Sequence, residues 1–530
     1  MRIYKYFVYF ILLILFFLNV HAQQVDTLPK VKIDTSSKVK MAPKREFRGV
    51  WVATVANIDW PKEGRISVDE QKQDLITILD EDQRIGINAV IFQVRPAADA
   101  FYAKSLEPWS KWLMGQQGMA PANGFDPLEF AIEECHKRGM ELHAWFNPYR
   151  ATFDSNFRAL SPNHITNTQP SWFFTYGGIK VFDPGIPQVR DYIVKVILNV
   201  VDNYDIDGVH MDDYFYPYKI DGQQIRDAQT FKTYGGDYTD INDWRRNNVD
   251  QLIKMLGDSV HDHKYYVKFG ISPFGIWANK SHNPAGSDSH GLETYYELYA
   301  DARKWMKEGW IDYVVPQLYR PTNDRLMDYN KLVDWWSDNT FGHHLYIGHA
   351  AYRALEPRSR TFLNPYELPN QIKYLRNNPR VEGSVFFSNN SLMHNAYGFT
   401  DTLKNNYYKY PALPPVMLWL DSVPPNPPKN VAGKFNGSSV RLAWSMPDTA
   451  SDGDPAYGFV VYRFEATEKV NLNDPKYILH IQYNDDQAYE DKTAQRGKTY
   501  LYVITTLDRM KNESDPSPTI AVTTNYPTTQ

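Results

Sequence analysis

From residue 45 onward, apolar runs of strand length alternate with longer amphipathic stretches. The runs are FRGVWVATV (47–55), INAVIFQVRP (87–96), MELHAWFNPYR (140–150), IDGVHMDD (206–213), VKFGISPFGIW (267–277), IDYVVPQLYR (311–320), HLYIGHAAYR (344–353) and EGSVFFSNNS (382–391). They are rich in β-branched and aromatic residues, as strands are. Between them lie helix-like segments such as SVDEQKQDLITILDEDQRIG and DPLEFAIEECHKRG, each closing on the glycine that commonly stops a helix. Alternation of this kind specifies an α/β fold around a parallel sheet, and eight units are the number that closes a (β/α)8 TIM barrel. A doubly wound open sheet is the alternative. With no G-x-G-x-x-G opening a unit, the barrel is the expected fold, over residues 45–415.

Near residue 420 the pattern changes. DSVPPNPPKN marks a proline-rich linker, set at 416–428, and short alternating strands follow: SVRLAWSM, YGFVVYRFE, KYILHIQY, KTYLYVITTLD and TIAVTT. Residues 429–526 resemble a fibronectin type III module through the strands carrying Trp444, Tyr462, and Tyr500 with Tyr502. That resemblance implies a small all-β sandwich of the kind used as a spacer or adhesion unit, contacting glycan or protein.

The other end reads MRIYKYFVYFILLILFFLNVHAQQ, with basic residues at Arg2 and Lys5, an apolar stretch, and Ala22 before Gln23. This is the layout of a signal peptide over 1–22, with an uncleaved anchor as the alternative. Residues 23–44 are polar and aperiodic, a flexible lead. The single cysteine, Cys135, sits in a helical pattern and reads as a buried structural thiol. Export without disulfides suits a bacterial periplasm, cell surface or exterior, and no membrane association is expected once the signal is removed.

Composition narrows the chemistry. A net charge of -5 and a pI near 6.3 offer no basic face for nucleic acid. Aromatic residues make up 15% of the chain, with 37 Tyr and 14 Trp, and flat rings stack on the apolar faces of sugars. A Tyr-rich core and surface accounts for the count equally well, so position decides. In a barrel the functional groups stand at the carboxyl ends of the strands. There the successive runs lead to Asp59 and Trp60; Gln93, Arg95 and Asp99; His143, Trp145, Asn147, Tyr149 and Arg150; His210, Asp212, Asp213 and Tyr214; and Gln317 and Tyr319. Hydrogen-bonding groups and rings so mixed suit a sugar pocket, so a polysaccharide is the expected partner, without cofactor or metal.

FRGVWVATVANIDWP, FQVRPAADAFY, LEPWSKWLMG, GFDPLEFAIEECHKRGMELHAWFNPYR, DGVHMDDYFYP and EGWIDYVVPQLYR occur in that order. Together they resemble the glycosyl hydrolase-like 10 family of secreted bacterial proteins over roughly residues 45–410. The resemblance implies a (β/α)8 barrel acting on bacterial glycans, with peptidoglycan strands stripped of their stem peptides as the inferred substrate. A non-catalytic glycan-binding barrel is the alternative from another class.

Asp212 and Asp213 are the candidate catalytic residues. Two-carboxylate hydrolysis needs acids ~5–10 Å apart across the bond, which neighbours on one strand do not supply. The last four runs end without an obvious carboxylate. A substrate-assisted route, in which the 2-acetamido oxygen attacks the anomeric carbon, uses adjacent acids, whose repulsion keeps one proton on the pair. DGVHMD is similar to the strand-4 start of chitinase-type enzymes that work this way, except that His210 replaces an acid and Tyr214 stands where their catalytic Glu would be. The acid/base role then moves to Asp213, with Asp212 orienting the acetamide and Tyr214 and Tyr319 bonding acetamide or sugar. A rival pairs either acid with Asp59 or Asp99 across the barrel. Asp212-Asp213 also reads as a helix cap or a structural cation site, and Arg48 as an inward neutraliser of Asp212. A His143/His210/Asp212 metal set, as in a glycan deacetylase, lacks supporting spacing.

Overall fold

The computed structural model describes residues 42–64 and 67–525. The signal segment 1–22, the lead up to residue 41 and Tyr526 lie outside the described residues. Each apolar run contributes one strand: β1 (Phe47–Val52), β2 (Ala89–Arg95), β3 (Glu141–Phe146), β4 (Gly208–Met211), β5 (Lys268–Ile271), β6 (Tyr313–Val314), β7 (His344–His349) and β8 (Gly383–Phe386). They pair in parallel in chain order and close, with Gly49 opposite Ala89 on β2 and Phe47 opposite Gly383 on β8. The connecting helices are α1 (Val68–Ile85), α2 (Pro127–Lys137), α3 (Pro187–Asn203), α4 (Ile241–His263), α5 (Ala302–Lys307), α6 (Tyr329–Ser337), α7 (Glu367–Arg376) and α8 (Asn389–Met393). Local chemistry sets their ends. Ser67 accepts from the Glu70 amide at the head of α1, Asp126 accepts from the Leu128 and Glu129 amides at the head of α2, and α1 stops at Gly86 with φ +98°. Among the described residues no helix is long and apolar enough to cross a membrane.

Because side chains alternate along a strand, each strand serves two cores. Val50, Phe92, Leu142, Val209, Phe269, Ile347 and Phe386 pack outward in the main core, whereas Phe47, Trp51, Ile91, Trp145, Tyr313, Tyr346 and Val385 fill the barrel. The interior is tight. A Cβ on Gly208 would stand 2.4 Å from His143 Nδ1, and one on Gly270 2.1 Å from the Tyr313 ring, so both positions require glycine. Arg48 does not point inward to Asp212 as the sequence suggested. Its guanidinium bonds Glu46 (2.7 Å) and the Tyr410 carbonyl (2.7 Å) and stacks on Tyr408 at 4.4 Å.

A polar chain threads this interior. Trp51 Nε1 donates to His210 Nε2 (3.3 Å), His210 Nδ1 and His143 Nδ1 both meet the Tyr313 hydroxyl (3.1 and 2.8 Å), and His143 Nε2 meets Glu141 (3.1 Å). An indole only donates, so the order is fixed: His210 donates to Tyr313, Tyr313 to His143, and His143 to Glu141. At the base Glu141 also pairs with Lys268, and Lys511 reaches in to 3.4 Å from Glu141 and 3.1 Å from Asp207. Burial pushes the Glu141 carboxyl up, but Lys268 and Lys511 outweigh it and hold the group at about 2.

Lys511 belongs to the C-terminal sheets. β9 (Lys429–Phe435), β10 (Val440–Ser445), β11 (Gly458–Glu465), β12 (Ile478–Gln482), β13 (Ala488–Asp491), β14 (Thr499–Leu507) and β15 (Ile520–Thr523) form two antiparallel sheets, β9-β10-β13 and β12-β11-β14-β15. Val440, Trp444, Phe459 and Tyr502 share the core of this all-β unit. The turn after β14 enters the base of the barrel, where Met510 joins the interior cluster together with Met417. Trp419 donates to Asp312 at 3.0 Å, so the segment that opens the proline-rich stretch is packed against the barrel.

Candidate active site

Asp212 and Asp213 directly follow β4 at its carboxyl end, and both are buried, 5% and 4% exposed. Their donors come from different strands. Asp212 Oδ2 accepts from Trp145 Nε1 (3.1 Å) and Asn147 Nδ2 (3.2 Å), both at the end of β3, and Oδ1 accepts from the Tyr214 amide (3.1 Å). Asp213 accepts from the Tyr218 hydroxyl and from Gln317 Nε2 (3.2 Å), which also holds the Ser272 carbonyl at 3.1 Å. Neighbouring acids are thus held apart by separate partners.

Burial and then the adjacent Asp213 charge push Asp212 up to about 7, against the pull of Arg150, Trp145 and the Tyr214 amide. Burial also raises Asp213, against Tyr218, Gln317 and Arg150. Both acids therefore keep a proton to higher pH than an exposed aspartate does.

Half-buried aromatics border the pair. Arg150 lies over the Tyr214 ring at 4.3 Å, Tyr214 meets Tyr218 edge-on at 5.6 Å, Tyr319 packs on Tyr352 (6.0 Å) and Phe387 (6.2 Å), and Phe387 packs on Trp51 (6.1 Å). Burial first, then Tyr352 and the Asp213 charge, raise the Tyr319 phenol. The family described as Glycosyl hydrolase-like 10 matches residues 46–362 of this chain. The chain belongs to that family.

Among curated relatives, glycosyl hydrolase YngK of Bacillus subtilis (strain 168) is 44% identical over 89% of this chain and 92% of its own length. Glycosyl hydrolase DigH of Escherichia coli (strain K12) is 38% identical over 64% of this chain and 82% of its own. Among solved structures, the PgaB (BpsB) glycoside hydrolase domain from Bordetella bronchiseptica is similar with a TM-score of 0.44 at 11% identity, covering 68% of this chain and 98% of that one.

In this glycosyl hydrolase-like 10 barrel, Trp145, Asn147, Arg150, Tyr214, Gln317 and Tyr319 gather around the aspartate pair. Other candidates are engaged elsewhere. Asp59 accepts from the Ala53 amide, the Ser388 hydroxyl and the Asn390 amide, each at 2.7 Å, and so ties β1 to the end of β8. Trp60 is in the main core, bonded to the Gln71 carbonyl at 2.9 Å. Gln93 accepts from the Thr54 and Val55 amides (3.1 and 2.9 Å), and Arg95 forms a fork with Glu107 (2.6 Å each) while donating to the Asn147 carbonyl (2.6 Å). Asp99 bonds Gln117 (3.4 Å) and Ser110, and Tyr149 is fully buried among apolar side chains.

His143 and His210 lie in the axial chain with all four ring nitrogens engaged, so they do not form the His/His/Asp metal set. Sequence reading missed Tyr218, Phe387 and Trp51. Tyr218 had a signal, since DDYFYPY keeps aromatic residues coming directly after the pair. Phe387 and Trp51 read as ordinary strand hydrophobes.

Proposed function

We propose that this protein is an exported hydrolase of O-glycosidic bonds in an N-acetylated bacterial glycan, with peptidoglycan strands stripped of stem peptides as its substrate. The observation that carries this reading is the Asp212–Asp213 pair, buried at the carboxyl end of a barrel strand and bordered by rings able to stack on a pyranose. Family membership and relatives named glycosyl hydrolase support hydrolysis, and the amino-terminal sequence supports export.

A substrate-assisted course fits the geometry better than a pairing with Asp59 across the barrel, because three hydrogen bonds engage Asp59 in the scaffold. The substrate's acetamido oxygen attacks the anomeric carbon, the bond to the leaving oxygen breaks, and Asp213 gives that oxygen its proton. Water then opens the cyclic intermediate at the same carbon and returns a proton to Asp213. An acetamide N–H donated to Asp212 favours its charged form and moves the proton to Asp213. Tyr214 and Tyr319 bond the acetamide or the sugar, while Trp145 and Asn147 orient Asp212 and Gln317 orients Asp213. The fibronectin type III-like module serves the barrel itself, by closing its base.

The test is incubation of the protein and of its Asp212→Asn and Asp213→Asn variants with peptide-free glycan strands, followed by mass spectrometry of soluble fragments. Fragments from the parent and a loss on the order of 10²–10⁴-fold in either variant are expected. Strands that bind but are never cut, by parent or variants, would make this a glycan-binding barrel.

A further inference from the structure

We propose that Arg150 selects a glycan with a free carboxylate on the sugar bound next to the aspartate pair, an inference that rests on the glycan-hydrolase reading above. Two contacts fix Arg150 beside the pair. Its amide donates to Asn147 Oδ1 (3.0 Å), and Asn147 Nδ2 in turn donates to Asp212 (3.2 Å). Its guanidinium lies over the Tyr214 ring at 4.3 Å and 6.0 Å from the Phe153 ring, while the Tyr214 amide holds Asp212 at 3.1 Å. A backbone bridge to Val181 anchors the residue. Arg150, Tyr214 and Phe153 are each half-buried at the carboxyl face, within reach of a ligand there.

A guanidinium this close to two acids would ordinarily pair with one of them. Here the acids take their bonds from Trp145, Asn147, Tyr218, Gln317 and the Tyr214 amide, all neutral, and among the described residues Arg150 forms no ion pair. Lys111 gives the contrast: it stacks on Trp112 at 4.5 Å and is paired with Asp154 at 2.7 Å. Stacking engages the flat face of a guanidinium and leaves its N–H edge for a planar, bidentate acceptor, which a carboxylate is and a hydroxyl is not. The neighbouring rings place that acceptor on a sugar. Phe153 meets Trp112 edge-on at 5.3 Å, so Tyr214, Phe153 and Trp112 continue outward from the pair as surface for adjoining pyranoses. On a peptidoglycan strand the matching group is the lactyl carboxylate, which is held as an amide while the stem peptide remains and carries a charge once that bond is hydrolysed. Arg150 thereby distinguishes stripped strands from peptide-bearing ones.

The test is calorimetry on the full chain carrying Asp213→Asn, comparing peptide-free strand fragments with the same fragments after their carboxylates are converted to neutral amides. The native fragments should bind roughly 10–100-fold more tightly, the scale of a charge-assisted bidentate contact. Adding Arg150→Gln should bring that ratio close to one, and Arg150→Lys should restore part of it by returning the charge without the fork. Equal affinity for both fragments, or none for either, overturns the proposal, and so does a preference that survives Arg150→Gln. Cleavage of the two fragments by the parent is measured alongside. Equal cutting of both would remove the carboxylate role and leave hydrolysis standing, whereas selective binding without cutting would remove hydrolysis and leave the carboxylate role.

Discussion

At the scale of single residues, burial makes the charged form of Asp212 costly. Its folded-state carboxyl is raised to about 7 by burial and by the Asp213 charge, above the value of an unfolded chain. Between the two values the folded state binds more protons than the unfolded one, so stability falls as pH rises from about 4 to 7. Asp212→Asn removes that dependence. Its stability relative to the parent should therefore be more favourable at pH 8 than at pH 5, by on the order of 2 kcal/mol in unfolding free energy, measured by denaturant titration at both values. An equal difference at the two pH values would show that Asp212 is not raised. On the proposed mechanism, kcat/KM for glycan cleavage should fall tenfold per unit once pH passes about 7, as Asp212 loses its proton. Which acids to examine was legible from the doublet in DGVHMDDYFYP. The upward shift of both carboxyls was not, because it comes from burial that only the closed barrel creates.

At the scale of elements, strand alternation does two jobs. Outward residues of β1 to β8 build an apolar layer under the helices, and inward residues build the axial chain from Trp51 through His210, Tyr313 and His143 to Glu141. Tyr313→Phe keeps the ring packing but leaves a donor on His210 and an acceptor on His143 facing no partner. We expect a loss of about 2–3 kcal/mol in unfolding free energy, read from urea titration, with the fold retained by circular dichroism. A neutral result would mean that the two imidazoles bond each other or water instead. The strands themselves were legible because period-two and period-3.6 patterns differ. The inward histidines looked like site residues because sequence locates a strand end more easily than the depth of a side chain inside a closed barrel.

At the scale of the whole molecule, the C-terminal sheets are part of the barrel's base. Lys511 is fully buried between Glu141 and Asp207, and Met510 and Met417 complete the interior cluster. Lys511→Met should cost about 3–5 kcal/mol, because it leaves two buried carboxylates short of a cation, and thermal unfolding of the intact chain should remain a single transition. Two well-separated transitions would show that the plug couples nothing. The sequence by itself determined the barrel, the all-β end and the aspartate pair, since strand and helix periods, turn chemistry and a local motif are written in neighbouring residues. Only the tertiary structure decided which strand-end residues share the site. It also decided that Asp59, Arg95 and the histidines belong to the scaffold and that a lysine at position 511 closes a barrel begun at residue 47. Closure brings residues hundreds of positions apart within hydrogen-bonding distance, and no local pattern records that.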